Sequence, residues 1–375
     1  MPSWRELGLQ VSCLLIVLPT ILMCSASSQQ TSSTASTDAI LSKLEVKIPT
    51  AAAGPAGLQG LLYLPPTPGR HPLVLMTHAT LKFTRDNREM GPGVLQPEAL
   101  WFVRRGWGVA IVMRRGYGSS GGKWDEYHFR CGEADLEAWG DHDAEDLKAA
   151  FEYLVHRSDI DGTRVIAVGD SSGGTAVVSI ALHAPLGLKA VVSFSGLWPT
   201  ALLSPSGCKS HTASSFGNLS VDTPVPMLWI YAKNDRLIGP KAAIKIHDAF
   251  IAAGGNAELS MVEQSADDGH FIFSDSPGLW GPIVEQFLSK HDLPFAPLYP
   301  APITSNLKLP AGFSDDAQKA FAHFLSLGPY KAFAIGPRGE WGYSSGKLTS
   351  KLAEQDALSH CQGGDSCMVF AKDTQ

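Results

Sequence analysis

Val168-Gly169-Asp170-Ser171-Ser172-Gly173-Gly174-Thr175 is the stretch on which the fold turns. An apolar, strand-like run from Val165 to Val168 leads into it, and an apparent helix follows. The pattern is G-x-S-x-G with a third glycine behind it. That spacing places a serine on a sharp strand-to-helix turn at the carboxyl edge of a sheet, with its hydroxyl presented outward. Glycines on either side remove side chains that would clash in so tight a turn. The helix behind the serine brings free N–H groups and the positive end of its dipole.

A serine hydroxyl is a poor nucleophile until a histidine takes its proton, and the histidine needs a carboxylate to hold its tautomer. Downstream residues supply both, in the order Ser, Asp, His. Asp235 follows the apolar run Met227 to Ala232, and His270 follows the strand-like Glu258 to Glu263. Both fall on loops after strands, where open α/β sheets place their sites. Asp267 and Asp268 are also acidic and close to His270 in the chain, so Asp235 is the first choice among three.

Further continuous apolar runs lie at Pro72–Thr77, Gly108–Met113 and Ala190–Phe194. Runs of this length fit strands covered on both faces of a parallel sheet. Leu44–Ile48 alternates apolar and polar residues, and Leu61–Leu64 is placed to pair with it before Pro65 and Pro66. Asp143–Val155 reads as an amphipathic helix with acids in its first turn, and that placement explains Asp141, His142 and Asp143 better than metal binding does. Strands alternating with helices predict a mostly parallel, doubly wound α/β sheet.

These residues resemble the α/β-hydrolase fold, nearest to its dienelactone hydrolase-like and prolyl-oligopeptidase-like esterase branches, over roughly Leu44 to Lys290. The resemblance implies a serine hydrolase that needs no cofactor or metal, with Ser171, Asp235 and His270 as its triad and a small-molecule ester as substrate. A serine peptidase acting on short peptides and a catalytically silent binding protein are the alternatives. Lactonases of the dienelactone hydrolase kind usually employ cysteine at the elbow, and dehalogenases of this fold aspartate, so serine points to esters. The resemblance also implies an oxyanion hole built from the backbone N–H of Ser172 and a second donor in Thr77–Thr80. Ala79 stands where the family usually has glycine, and Thr80 is the preferred donor. His78 is expected to be structural. Arg115–Gly121 is glycine-rich but lacks the Lys-Ser/Thr ending of a phosphate-binding loop, and is expected to be a structural loop beside the site. A short insertion between Ser195 and Val225, carrying Trp198, Cys208 and Phe216, is expected to form a small cap.

Composition sets the wider frame. A net charge of −6, with 44% hydrophobic and 18% charged residues, fits a globular protein with a real core. It carries no footprint of a nucleic-acid binder. Arg5, the apolar run Val11–Met23 and the small residues Cys24-Ser25-Ala26 read as a signal peptide (1–26), followed by a flexible leader (27–40). The run is short for a membrane span. The chain is therefore expected to be exported, to the periplasm or beyond, with no stable transmembrane segment once the signal is removed.

Past the hydrolase region (41–292), residues 293–310 contain five prolines and read as a linker. Residues 311–375 read as a small α+β module: a helix near Asp315–Leu327, a strand at Ala332–Ile335, a Gly-rich turn, a second helix and a strand near Met368. Trp341 and Tyr343 are assigned to the module's own core, with a binding surface as the alternative; an envelope partner is one conceivable role for the module. Cys131, Cys208, Cys361 and Cys367 remain after the signal. Four cysteines in an oxidising compartment predict two disulfides. Cys361 pairs with Cys367 because the two are close in the chain, leaving Cys131 for Cys208. Non-reducing peptide mapping is expected to find both bridges, and a free Cys131 would dismiss the second.

Overall fold

The computed structural model describes residues 42–80, 87–123, 136–196, 223–265, 267–298, 307–327, 330–347 and 349–372. The expected signal peptide and leader, the Cys131–Cys208 bridge and the cap residues Trp198 and Phe216 lie outside the described residues.

The long apolar runs become strands. β3 (His71–Thr77), β4 (Gly108–Val112), β5 (Ile160–Asp170), β6 (Leu188–Phe194), β7 (Met227–Ala232) and β8 (Ala257–Val262) pair in parallel. Ahead of them, β1 (Ser42–Thr50) and β2 (Gly54–Leu64) form the antiparallel pair expected from Leu44 and Leu61, which lie near each other as Glu45 faces Leu61. β2 joins β4 antiparallel, giving one eight-stranded sheet in the order β1-β2-β4-β3-β5-β6-β7-β8.

Alternation along each strand sends side chains to two separate cores. Leu73, Leu75, Val165, Ala167, Met227 and Trp229 face one layer, with helices α2 (Leu136–Val155), α3 (Ser172–Leu182) and α4 (Pro240–Ala252). Val74, Met76, Ile166, Val168, Leu228 and Ile230 face the other, with α1 (Gln96–Val103) and α5 (Pro277–Lys290). Burial on both faces explains why these strands lack a polar–apolar rhythm. Helix α2 begins at Leu136 rather than near Asp143, so the acids at 141–146 sit within the helix instead of capping it.

The C-terminal residues form a second, three-stranded antiparallel sheet. Its order is β10 (Trp341–Ser344), β9 (Ala332–Ile335), β11 (Met368–Lys372), with helices α6 (Asp315–Ser326) and α7 (Ser350–His360). Ser314 caps α6 by accepting from the Ala317 N–H, and Thr349 caps α7 through the Leu352 N–H. Strand β10 occupies part of what the sequence reads as a Gly-rich turn. Trp341 and Tyr343, both half-buried, lie nearly parallel to Phe333 across the strands and pack against the Phe321–Phe324 cluster, with part of each ring left on the surface. Cys361 and Cys367 are bridged, with Cα atoms 6.3 Å apart.

The first part of the Pro-rich stretch is docked rather than free. Leu293 is buried, Trp107 Nε1 donates to the Pro294 carbonyl at 2.9 Å, and the Leu298 N–H donates to Arg104 O at 2.7 Å. Gln96 on α1 accepts from Tyr63 OH and donates to the Gly346 carbonyl, tying the small sheet's β10–α7 turn to the large domain.

Trp280 is the centre of the α1–α5 layer. It is fully buried against Trp101, Phe102, Phe194 and Phe273, and its Nε1 donates to Phe273 O at 2.9 Å. Trp280→Ala is expected to cost about 3–5 kcal/mol, read as a lower urea midpoint at unchanged slope. A loss below about 1 kcal/mol would show that this layer does not hold the fold.

Candidate active site

The elbow forms where the sequence places it. β5 ends at Asp170, Ser171 makes the turn, and α3 starts at Ser172. Ser171 has φ 57° and ψ −115°, a backbone state that costs a non-glycine residue roughly 1–3 kcal/mol. Two hydrogen bonds fix it: its N–H donates to Phe194 O at 2.8 Å, and its carbonyl accepts from the Thr175 N–H at 3.1 Å. Gly173 is required by contact. A Cβ there would lie 2.5 Å from the His78 carbonyl oxygen, so only glycine lets α3 approach the end of β3.

Two loops complete the site. Asp235, 5% exposed, lies after β7, and its Oδ1 accepts from the N–H groups of Leu237 and Ile238 at 2.8 and 2.7 Å. Its Oδ2 lies 3.1 Å from His270 Nδ1. A carboxylate only accepts, so Nδ1 carries the proton and Nε2 presents its lone pair. Nε2 lies 2.9 Å from Ser171 Oγ, oriented to receive the serine proton. The structure thus brings Ser171, His270 and Asp235 together, and it settles which acid faces the imidazole. Asp268 instead caps the His270 turn, accepting from the backbone N–H groups of His270 and Arg236, each at 3.0 Å. Asp267 is exposed.

The electrostatics favour a charged imidazole. Burial pulls the His270 pKa down, but the hydrogen bond and charge of Asp235, aided by Asp170 and Asp268, outweigh it and leave the group above its ordinary value. Two acids that the sequence reading passed over lie on the α1–α5 side. Asp170, the elbow residue before the nucleophile, is pushed up to about 7, chiefly by burial. Glu98 on α1 is pushed up to about 8, again by burial, with Asp170 and Asp275 adding to the rise. The alternation of β5 signals this, since position 170 shares its face with Ile166 and Val168.

Thr80 and Ser172, the two expected oxyanion residues, are in contact: Thr80 Oγ1 donates to Ser172 Oγ at 2.8 Å. His78 is buried, packed at a tilt against the Tyr117 ring and held well below its ordinary pKa by burial and by Arg114, which fits a structural role. Arg114, not singled out from the sequence, donates from Nη2 to Ser172 Oγ at 2.7 Å. The glycine-rich loop is structural. The N–H groups of Gly116, Tyr117, Gly118, Ser119, Ser120 and Gly121 all donate to protein acceptors, so they form no phosphate cradle. Arg115 pairs with buried Asp146 on α2, anchoring the loop. A cavity of about 540 Å³ on the small sheet, lined by Arg338, Trp341, Tyr343 and His360, contains none of the triad residues. Among the described residues, no group of three His, Cys, Asp or Glu side chains is placed to hold a metal.

Residues 94–198, spanning α1 to the end of β6 and including the elbow, match the model of the Prolyl oligopeptidase family. The chain has the α/β-hydrolase fold. Its eight-stranded sheet, elbow and Ser–Asp–His order carry that assignment. Structures similar to this chain include an esterase of Pyrococcus furiosus, at 17% identity and TM-score 0.49, covering 67% of this chain and 93% of that one. The dipeptidyl peptidase 4 of Porphyromonas gingivalis gives 18% identity and TM-score 0.48, covering 67% of this chain. The acylaminoacyl peptidase of Pyrococcus horikoshii gives 14% and 0.48, covering 74%. The chain spans 36% and 44% of the lengths of these two peptidases. No curated protein matches the sequence. The site geometry is that of a serine hydrolase.

Because His270 must be neutral to accept the serine proton, its raised pKa places the acid limb of kcat/KM above pH 6.5. Asp235→Asn removes the largest of the interactions that raise it, leaving Asp170 and Asp268. The limb is expected to move to lower pH while turnover falls about 10⁴-fold. A pH–rate profile whose limb stays in place would refute the pairing.

Proposed function

We propose that the protein hydrolyses carboxylic esters through an acyl-Ser171 intermediate. The observation that carries this reading is the continuous chain Ser171 Oγ–His270 Nε2 and His270 Nδ1–Asp235 Oδ2, at 2.9 and 3.1 Å. In the first half, Ser171 Oγ attacks the ester carbonyl while its proton passes to His270 Nε2. The tetrahedral intermediate collapses, the C–O bond to the alcohol breaks, and the imidazolium returns the proton to the departing oxygen. In the second half, water attacks the acyl carbon and gives a proton to Nε2; the C–O bond to Ser171 Oγ then breaks, the imidazolium returns that proton to Oγ, and the carboxylic acid is released. Asp235 keeps the proton on Nδ1 and stabilises the imidazolium. The N–H groups of Ser172, in the first turn of α3, and of Thr80 receive the developing negative charge.

The match to the Prolyl oligopeptidase family favours one second reading, a serine peptidase acting on short peptides. The same triad serves either bond, and the difference lies in the leaving group and its binding. Export to an oxidising compartment is part of the proposal. The signal-like Val11–Met23 run and the Cys361–Cys367 bridge support it. Among the described residues, no helix is long and apolar enough to cross a membrane.

The test uses the chain from residue 27, as wild type and Ser171→Ala, on short-chain p-nitrophenyl esters and on short peptide p-nitroanilides, beside labelling with a fluorophosphonate. Ester turnover and label are expected to vanish together in a folded Ser171→Ala, with a loss of about 10⁴-fold or more. Faster release from the peptides would transfer the assignment to the peptidase. A folded wild type with neither turnover nor label would leave a silent binding protein.

A further inference from the structure

Arg114 lies 2% exposed, just after β4, on neither of the loops that carry Asp235 and His270. Continuing the alternation of Ala110 and Val112, its side chain falls on the α2–α3 side of the sheet, where α3 begins. There its Nη2 donates to Ser172 Oγ at 2.7 Å. Ser172 Oγ also accepts from Thr80 Oγ1, so both acceptor positions of the hydroxyl are filled and its rotamer is pinned. Thr80 Oγ1 in turn lies 3.3 Å from Tyr117 OH.

The main chain of the same residue holds the opposite wall. The Arg114 N–H donates to His78 Nε2 at 3.1 Å, and His78 Nδ1, facing the Ala79 carbonyl at 2.8 Å, must be the protonated nitrogen. The ring is thereby fixed neutral, and with it the turn that leads to Thr80. One buried residue therefore grips both segments that supply oxyanion donors. A guanidinium keeps its charge when buried and fixes several bonds in one plane.

We propose that Arg114 is a positioning residue for the oxyanion hole, which sets the Ser172 and Thr80 peptides through Ser172 Oγ and lends positive potential to the developing oxyanion. This rests on the serine-hydrolase reading above. The charge acts on the transition state and not on the bound ester, so its loss falls on kcat and leaves KM nearly unchanged.

The experiment measures kcat, KM and the rate of fluorophosphonate labelling for Arg114→Met, Arg114→Lys, Ser172→Ala and the Arg114→Met/Ser172→Ala double variant, with melting curves for each. Ser172→Ala removes the hydroxyl and keeps the backbone N–H. Arg114→Met is expected to lower kcat and labelling together by about 10- to 100-fold, with KM within about threefold. Arg114→Lys should recover the larger part of the loss. Ser172→Ala should be impaired to a similar degree, and the second substitution should then cost little more, as residues acting through one contact are not additive. Wild-type kcat in a folded Arg114→Met, or the same further loss in the Ser172→Ala background as in wild type, would overturn the proposal. If Arg114→Met does not fold, wild-type rates in both Arg114→Lys and Ser172→Ala would overturn it equally. Ser171→Ala separates the two levels. Loss in that variant alone refutes only the role of Arg114, whereas a wild type without turnover or label removes the serine-hydrolase reading with it.

Discussion

Ser171 sits at φ 57°, ψ −115°, a conformation that no single bond could maintain. The turn is over-determined by what lies on either side. β5 runs between β3 and β6 in the middle of the sheet, and α3 packs Ala176 to Ala181 into the core directly behind it. Strand and helix are both immobilised by burial, so the one residue between them has little freedom. Its hydroxyl is held above the strand ends at the cost of local strain. Asp235 and His270 need only be delivered to that fixed point, and the loops after β7 and β8 do so with tight turns closed by the Asp235 and Asp268 carboxylates.

A polar layer beneath the nucleophile gives the site its second level of order. Arg114, His78, Thr80, Tyr117 and Ser172 form one hydrogen-bonded set at the junction of β3, β4 and α3. Buried polar groups are costly unless satisfied, and once satisfied they specify a unique arrangement. Beside this set, Arg115 turns the other way and pairs with Asp146. Two adjacent arginines thus serve two different elements, one fixing α3 and one fixing α2.

On the opposite face, Glu98 and Asp170 place carboxyl groups in an otherwise apolar layer. Their pKa values, pushed up to about 8 and about 7, leave Glu98 largely protonated near neutrality and Asp170 partly so. Asp170 contributes to the rise of His270 when ionised. The charge state of the base is therefore coupled to a group one residue from the nucleophile in the chain, as well as to its own partner Asp235.

The local sequence determined the central strands and the elbow, because each strand is buried on both faces and the turn demands its glycines. Those are constraints within a few residues. It also determined the Cys361–Cys367 bridge, since six residues leave little choice of partner once both cysteines lie in one small module. Tertiary structure alone decided which of Asp235, Asp267 and Asp268 faces the imidazole, for all three follow strands of the same sheet edge and differ only in where their loops fold back. It alone separated Arg114 from Arg115, whose neighbours in the chain are nearly the same. It also placed β10 where the local pattern reads as a turn, because a four-residue strand with a glycine in it gains its identity from pairing with β9. Contacts between residues such as 114 and 172, or 171 and 270, are set by how parallel crossovers register one strand against the next, and no short window of sequence carries that information.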